Sequence, residues 1–257
     1  MEKNSYESSE DQFIENLRHS LRYPLNECQR SADLFEQNRS NETINLRKRI
    51  ETRSAKDQTA LIKRLIEEAK TINLKVIVLK STRSVSREIC ELVQEKTPEW
   101  GAEKSLVVWA HPLIEKLNLA KRLNRLNIPV YDATPSNDPR KNMTLRNRIA
   151  ASFIGVTSAD YCVADSATVV MKTRPGHPRS VSLLPTVHIV VIKIIKNLEE
   201  LYTLLKWDTI EKEEGLTNCM TFITGPSKTA DIEATLIYGA HGPREVYVYV
   251  ITGESDI

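Results

Sequence analysis

No Cys-x-x-Cys occurs in this chain, and its four cysteines, Cys28, Cys90, Cys162 and Cys219, stand far apart. Iron–sulfur clusters and structural zinc sites announce themselves through short cysteine spacings, so the pattern speaks against both in this chain. Scattered cysteines in a reducing compartment read as core residues, and Cys162, inside a β-rich run, is expected to be inert. No run of about 18 apolar residues is present, which leaves no candidate transmembrane helix. The first residues, Met1 to Asp11, lack the basic start and apolar core of a secretory signal, and a cytoplasmic protein is expected. Charge of one sign is lacking too. The formal net charge is only +2, so no global field points to nucleic acid or acidic membrane. Gly-x-Gly-x-x-Gly is missing, and with it support for the usual nicotinamide or flavin site. Gly-x-Ser-x-Gly, the nucleophile elbow, is missing as well.

What is present is a chain of 257 residues, long enough for one large domain plus an accessory segment. Residues 1–54 contain no glycine and only short apolar stripes. Phe13, Leu17 and Leu21 recur at helical spacing, Leu34 and Phe35 border a second piece, and Pro24 separates the two. This segment reads as an N-terminal helical arm, and residues 55–257 as the main domain. From Ala55 onward helices and strands alternate. Helices are predicted over 56–73, 84–95, 113–123, 139–154 and 198–207, and strands over 75–79, 105–110 and 128–131. Strand alternating with helix implies parallel strands covered on both faces. Further on, 161–164, 168–172 and 180–184 read as short strands in hairpin-like contact, 187–194 as a buried strand, and 221–224 and 245–251 as late strands around a helix over 230–237. The expected architecture is a three-layer α/β/α domain with a mixed, mainly parallel sheet.

The densest local signal is Gly225-Pro226-Ser227-Lys228-Thr229-Ala230-Asp231-Ile232-Glu233, which follows an apolar strand. Two readings stay open. It is a well-capped helix start, or its backbone donors and hydroxyls hold an anion. It is not a Walker A loop: the two positions that need glycine, 222 and 227, hold Phe and Ser. Arg174 and Arg179 bracket Pro175-Gly176-His177-Pro178, and two guanidinium forks on a shaped loop suit a carboxylate or phosphate as well as a solvated surface. Asp160 and Asp165 flank a strand about 17 Å apart and should not form an acid/base pair. Asp165, at the carboxyl end of that strand, is the better candidate. His241 follows the last predicted helix, and His188, inside a strand, reads as a satisfied core histidine. His177, His188, His241 and Asp165 lack the spacings of a metal site, so none is expected. A basic stretch from Lys116 to Arg148 has no interleaved aromatics, and it reads as a solvated helix face and not as a nucleic-acid surface.

Several motifs agree on one resemblance. Gly155-Val156-Thr157-Ser158-Ala159-Asp160, Asp165-Ser166-Ala167-Thr168, Arg174 to Pro185, Gly225 to Thr229 and Gly239-Ala240-His241-Gly242-Pro243 resemble, in order and spacing, the lactate utilisation protein C family, built on the LUD domain. The match runs from about Ala55 to about Val250. The resemblance implies the fold shared by ribose-phosphate isomerase and the CoA transferases, and service in L-lactate oxidation to pyruvate beside two iron–sulfur subunits. This chain would be the cluster-free component, with no catalytic residues to carry over. It departs from the family in small ways. Asp-Thr-Gly-Thr is common where Asp165-Ser166-Ala167-Thr168 stands, Gly-Pro-Gly-Gln-Gly-Arg where Arg174 to Arg179 stands, and Arg where Lys228 stands.

Three functional classes follow. The first is a subunit of an iron–sulfur-dependent lactate-oxidising system that binds a small carboxylate. The second is a stand-alone enzyme or binder acting on a phosphorylated or carboxylate metabolite. The third is a scaffold that docks partners through the arm. The candidate ligand-binding residues are Asp165, Arg174, Arg179, Ser227, Lys228, Thr229 and His241, expected to gather at one sheet edge because each sits in a turn after an apolar element.

Overall fold

A computed structural model describes residues 9–20, 45, 48–50, 52–98, 103–193, 195–207, 219–230 and 236–253. The chain divides into two compact units, Met1–Asn45 and Leu46–Ile257. In the first, helix α1 (Ser9–Ser20) carries the expected stripe, with Phe13 and Leu17 exposed. The expected second helical piece around Leu34 and Phe35 lies outside the described residues.

The second unit is built on six parallel strands: β1 (Lys75–Leu79), β2 (Glu103–Val108), β3 (Val130–Asp132), β4 (Ser152–Ser158), β7 (Val187–Ile192) and β12 (Glu245–Ile251). Their order is β1-β12-β7-β4-β2-β3. Alternate side chains feed two cores. Val76, Val78, Val190, Ile192, Val246, Val248 and Val250 face one, and Ile77, Leu79, Ile189, Val191, Tyr247, Tyr249 and Ile251 face the other. The first core is covered by α2 (Ala55–Thr71), α6 (Pro139–Ala151), α7 (Ser180–Leu183) and a second sheet. The other is covered by α3 (Thr82–Glu95), α4 (Pro112–Glu115) and α5 (Leu119–Leu123). The α/β layering expected from the sequence is therefore present. The six-stranded sheet has no antiparallel pair; a second sheet, of order β8-β5-β6-β9, does, and in it β5 (Tyr161–Val163) and β6 (Thr168–Lys172) form the expected hairpin, with β8 (Ile195–Lys196) and β9 (Met220–Ile223) outside them. Helix α8 (Leu198–Trp207) starts in a capping box. Glu200 N–H donates to Asn197 Oδ1 at 2.8 Å and Asn197 N–H to Glu200 Oε2 at 3.0 Å, while Arg53 ion-pairs with Glu200.

Four expectations need correction. The helix placed over 139–154 ends at Ala151, and Ser152–Ser158 is the fully buried strand β4. The apolar run Phe153–Val156 has a length that fits either state, and the pull of two neighbouring strands decides it. Met143, on that helix, is exposed. The helix over 113–123 is two short helices, broken where Asn118 takes φ 51°. Residues 180–183 are helix α7 and not a strand. Helix α7 lies so close to β4 that a Cβ at Gly155 would sit 1.9 Å from the Val181 carbonyl oxygen. Finally, the helix over 230–237 is contradicted at both of its described ends: β10 (Lys228–Ala230) pairs antiparallel with β11 (Leu236–Tyr238). Thr229 and Ile237, both β-branched, pair across it.

The amino end of the sheet is closed by charge. Glu245, at the start of β12, accepts hydrogen bonds from Lys75 and Lys96, each at 2.5 Å, and from the Tyr247 hydroxyl at 2.7 Å. Partial burial alone would raise the Glu245 pKa, but these three donors outweigh it and hold it at about 2. Burial and the Glu245 carboxylate push the Tyr247 phenol up to about 12. Because the folded value of Glu245 lies below the ordinary carboxylate value, its stabilisation is full above that ordinary value and is lost as pH falls through about 2. Glu245→Gln should therefore destabilise the domain by about 1–2 kcal/mol at neutral pH. The gap between wild type and variant should shrink as chemical denaturation is repeated at progressively lower pH below about 4.

Candidate functional site

In an open parallel sheet, polar groups collect beyond the carboxyl ends of the strands. Here β2 runs into Trp109-Ala110-His111, β4 into Ala159-Asp160, and β7 into Lys193. A turn folds over them. The His177 N–H donates to the Arg174 carbonyl at 2.9 Å, with Pro175 second and Gly176 third at φ 78°. That is the arrangement of a type II turn, which requires glycine at its third position. A Cβ at residue 176 would also lie 3.1 Å from the Ala110 Cβ. The turn delivers His177 onto Trp109. The two rings stack at 4.5 Å between centroids and 9° between planes, and His111 lies 5.5 Å from His177. Trp109 Nε1–H donates to the Pro178 carbonyl at 3.1 Å.

Hydrogen bonding assigns the tautomers. His177 Nε2 lies 3.1 Å from the Ala110 carbonyl and must donate to it, so Nδ1 is an acceptor, and it has no partner among the described residues. His111 Nδ1 accepts from the Leu113 N–H at 3.1 Å, so Nε2 carries the proton. Burial lowers both histidine pKa values, and the Arg174 guanidinium lowers them further against the opposing pull of Asp160. Both rings are neutral near pH 7. Asp160 is fully engaged: Oδ1 accepts from Arg174 Nη1 at 2.5 Å, and Oδ2 from the Lys172 backbone N–H at 2.7 Å. Beside this group lies a cleft of about 410 Å³, walled by His111, Leu113, Lys116, Ser158, Asp160 and Lys193.

A larger cleft of about 480 Å³ opens at the amino end of the sheet, between Lys96, Phe153, Arg244 and Glu245. Its Glu245 carboxylate is already neutralised by two lysines, Glu95 adds a second carboxylate, and no histidine lines it. The carboxyl-end cleft is therefore the better candidate.

The residues singled out in the sequence do not form one cluster. Asp165 sits in the turn at the far end of the β5–β6 hairpin from Asp160, where Oδ1 meets Arg64 Nε at 3.0 Å and Oδ2 accepts the Leu198 N–H. Ala167, in the same turn, takes φ 47°, the conformation for which the family's glycine is suited. Arg174 belongs to the carboxyl-end group. Arg179 Nη1 donates to Cys219 Sγ at 3.2 Å. Ser227, Lys228, Thr229 and His241 are grouped together, with the His241 N–H 3.4 Å from Ser227 Oγ and the Ser227 N–H donating to the Pro243 carbonyl at 2.9 Å. Pro243 and Arg244 lead into β12, so this second group lies at the amino end of the sheet. Strands of six or seven residues set the two ends on the order of 20 Å apart. His188 is in the core as expected, but only half satisfied. Its Nε2 meets Thr157 Oγ1 at 2.9 Å while Nδ1 has no partner among the described residues, and burial pushes its pKa down to about 3. Trp109, His111, Lys116 and Lys193 were not singled out as site residues. The available signal was a Trp-Ala-His directly after a buried strand, at its carboxyl end.

The thiols differ in ways that can be measured. Burial alone would raise the Cys219 pKa, but the adjoining Arg179 guanidinium outweighs it and the value is lowered. Burial raises Cys90, and pushes Cys162 up to about 12. Mapped alkylation near neutral pH should label Cys219 ahead of Cys90 and Cys162. Arg179→Ala should slow that labelling by roughly threefold or more.

A parallel sheet covered on both faces, with a polar cleft beyond the carboxyl ends, defines an open, layered α/β domain. The chain belongs to the LUD domain family, whose sequence model matches residues 62–251. Lactate utilization protein C of Halalkalibacterium halodurans is 34% identical over 151 residues, covering 57% of this chain and 63% of that protein's length. The protein of the same name from Anoxybacillus flavithermus is 33% identical over 170 residues, covering 65% of this chain and 71% of that one. The crystal structure of a DUF162 family protein from Deinococcus radiodurans aligns with a TM-score of 0.49 at 15% identity, over 75% of this chain and 97% of that chain.

Proposed function

We propose that this protein serves lactate utilisation as the carboxylate-binding, cluster-free subunit of an L-lactate-oxidising system. One observation carries the reading. In a chain whose relatives are named lactate utilization protein C, the carboxyl-end cleft is lined by Lys116, Lys193 and the neutral His111, while its own carboxylate, Asp160, is held by Arg174 and the Lys172 N–H. Such a cleft favours a small acid. Lys116 supplies charge and His111 Nε2–H supplies a directed donor for an adjacent hydroxyl or carboxylate oxygen. Two electrons and two protons leave lactate as it becomes pyruvate. In this proposal the electrons pass to clusters in two iron–sulfur partner subunits, and this chain binds and orients the acid.

A second reading has its own support. About 410 Å³ far exceeds a three-carbon acid and lies in the range of larger ligands, so a stand-alone enzyme or binder for a phosphorylated metabolite fits the same cations. Calorimetric titration with lactate, pyruvate and sugar phosphates separates the two. Lys116 is exposed, so Lys116→Glu should leave folding intact and weaken binding of the true ligand by about tenfold or more. Deleting the gene should abolish growth on L-lactate, with rescue by the wild type and not by Lys116→Glu. Unimpaired growth of the deletion strain overturns the lactate reading.

A further inference from the structure

Between Lys116 and Arg148 eight basic residues stand against two acidic ones, although the whole chain carries a formal charge of only +2. The fold brings most of them to one edge of the six-stranded sheet. Lys121, Arg122 and Arg125 lie on α5 and the 3-10 turn Asn124–Leu126, and Arg140, Lys141, Arg146 and Arg148 on α6. Strand β3, the open edge of the six-stranded sheet, lies between them. Helix α5 packs on β3 from one core, and α6 buries Ile149 in the other. The Arg148 guanidinium stands 5.0 Å over the ring of Tyr131 in β3. All eight basic residues are exposed, and among the described residues none forms an ion pair. Two apolar side chains, Leu126 and Met143, are 44% and 57% exposed in their midst.

We infer that this basic sheet edge is a docking surface for a protein partner with an acidic face. Eight like charges with only Asp132 and Asp138 among them repel, and a complementary surface removes that cost while steering encounter. Arginine and methionine are enriched at protein interfaces, and five of the eight cations here are arginines. Leu126 and Met143 supply apolar anchors inside the charged ring. Single-stranded nucleic acid would need exposed aromatic platforms, and Tyr131 is half-buried beneath Arg148. A membrane would need a broad apolar helix face, and on α6 Leu145 and Ile149 turn into the core. Lys116 lines the carboxyl-end cleft and also opens the basic series, so a docked partner sits beside the candidate site.

The choice of probe rests on the proposed lactate reading; the surface itself does not. Affinity of the full chain for each proposed iron–sulfur subunit would be measured at increasing salt, for the wild type and for Arg122→Glu/Arg125→Glu/Arg146→Glu. A control, Lys63→Glu/Lys70→Glu/Arg83→Glu, reverses as many exposed charges on α2 and α3. The expected result is a wild-type complex that weakens with salt, a triple variant weaker by about tenfold or more, and an unaffected control. A triple variant that binds like the wild type overturns the inference and leaves the partner reading standing. A wild type that binds neither subunit also overturns it, while growth on L-lactate separately decides the lactate reading. Binding to a short DNA duplex or to phosphatidylserine vesicles that the triple variant abolishes would reassign the surface and overturn it as well.

Discussion

Strands β4 and β7 are buried along their whole length, and β12 along all but its first residue. Parallel strands of this kind must be covered on both faces, so their side chains alternate between two apolar cores and leave little room for polar chemistry in the middle. The exception shows the cost. His188 and Thr157 share one hydrogen bond there, and burial holds the imidazole neutral with one nitrogen unpaired among the described residues. Charge and function are thereby pushed to the strand ends and to the open edge at β3.

The two ends then diverge. At the amino end Glu245 gathers Lys75, Lys96 and Tyr247 into a cluster in which two lysines more than balance one carboxylate, which suits a structural clasp between β1, β12 and the end of α3. At the carboxyl end the acid is consumed internally, by Arg174 and the Lys172 N–H, and the cleft beside it keeps lysines and a neutral histidine. The Trp109–His177 stack couples the type II turn to the end of β2, so Arg174 is positioned by the fold and not by its own loop alone. The basic edge adjoins this end through Lys116. The proposed acid-binding cleft and the proposed docking edge thus adjoin.

Much of this was legible in the residues. Helix α3 follows from Val85, Ile89 and Val93 at helical spacing after the Ser81 cap, and β1 and β7 from their β-branched runs. Pro175-Gly176 encodes a type II turn by itself, because proline presets one dihedral and glycine alone accepts the next. The hairpin β5–β6, the buried Cys162 and the family motifs were readable for the same reason: each depends on residues within a few positions of one another.

What the sequence by itself determined was therefore the local conformation, the alternation of layers and membership in the LUD domain family. Only the tertiary structure decided which loops meet. Gly225 to Thr229 looks like a ligand cradle, but its hairpin enters at the amino end of β12, opposite Arg174. Residues 152–154 look like the tail of a helix, but they open the strand between β2 and β7. The end of the sheet that a turn faces depends on strand direction and order, and those are set by pairings between segments far apart in the chain, such as β1 with β12. No local pattern carries that information.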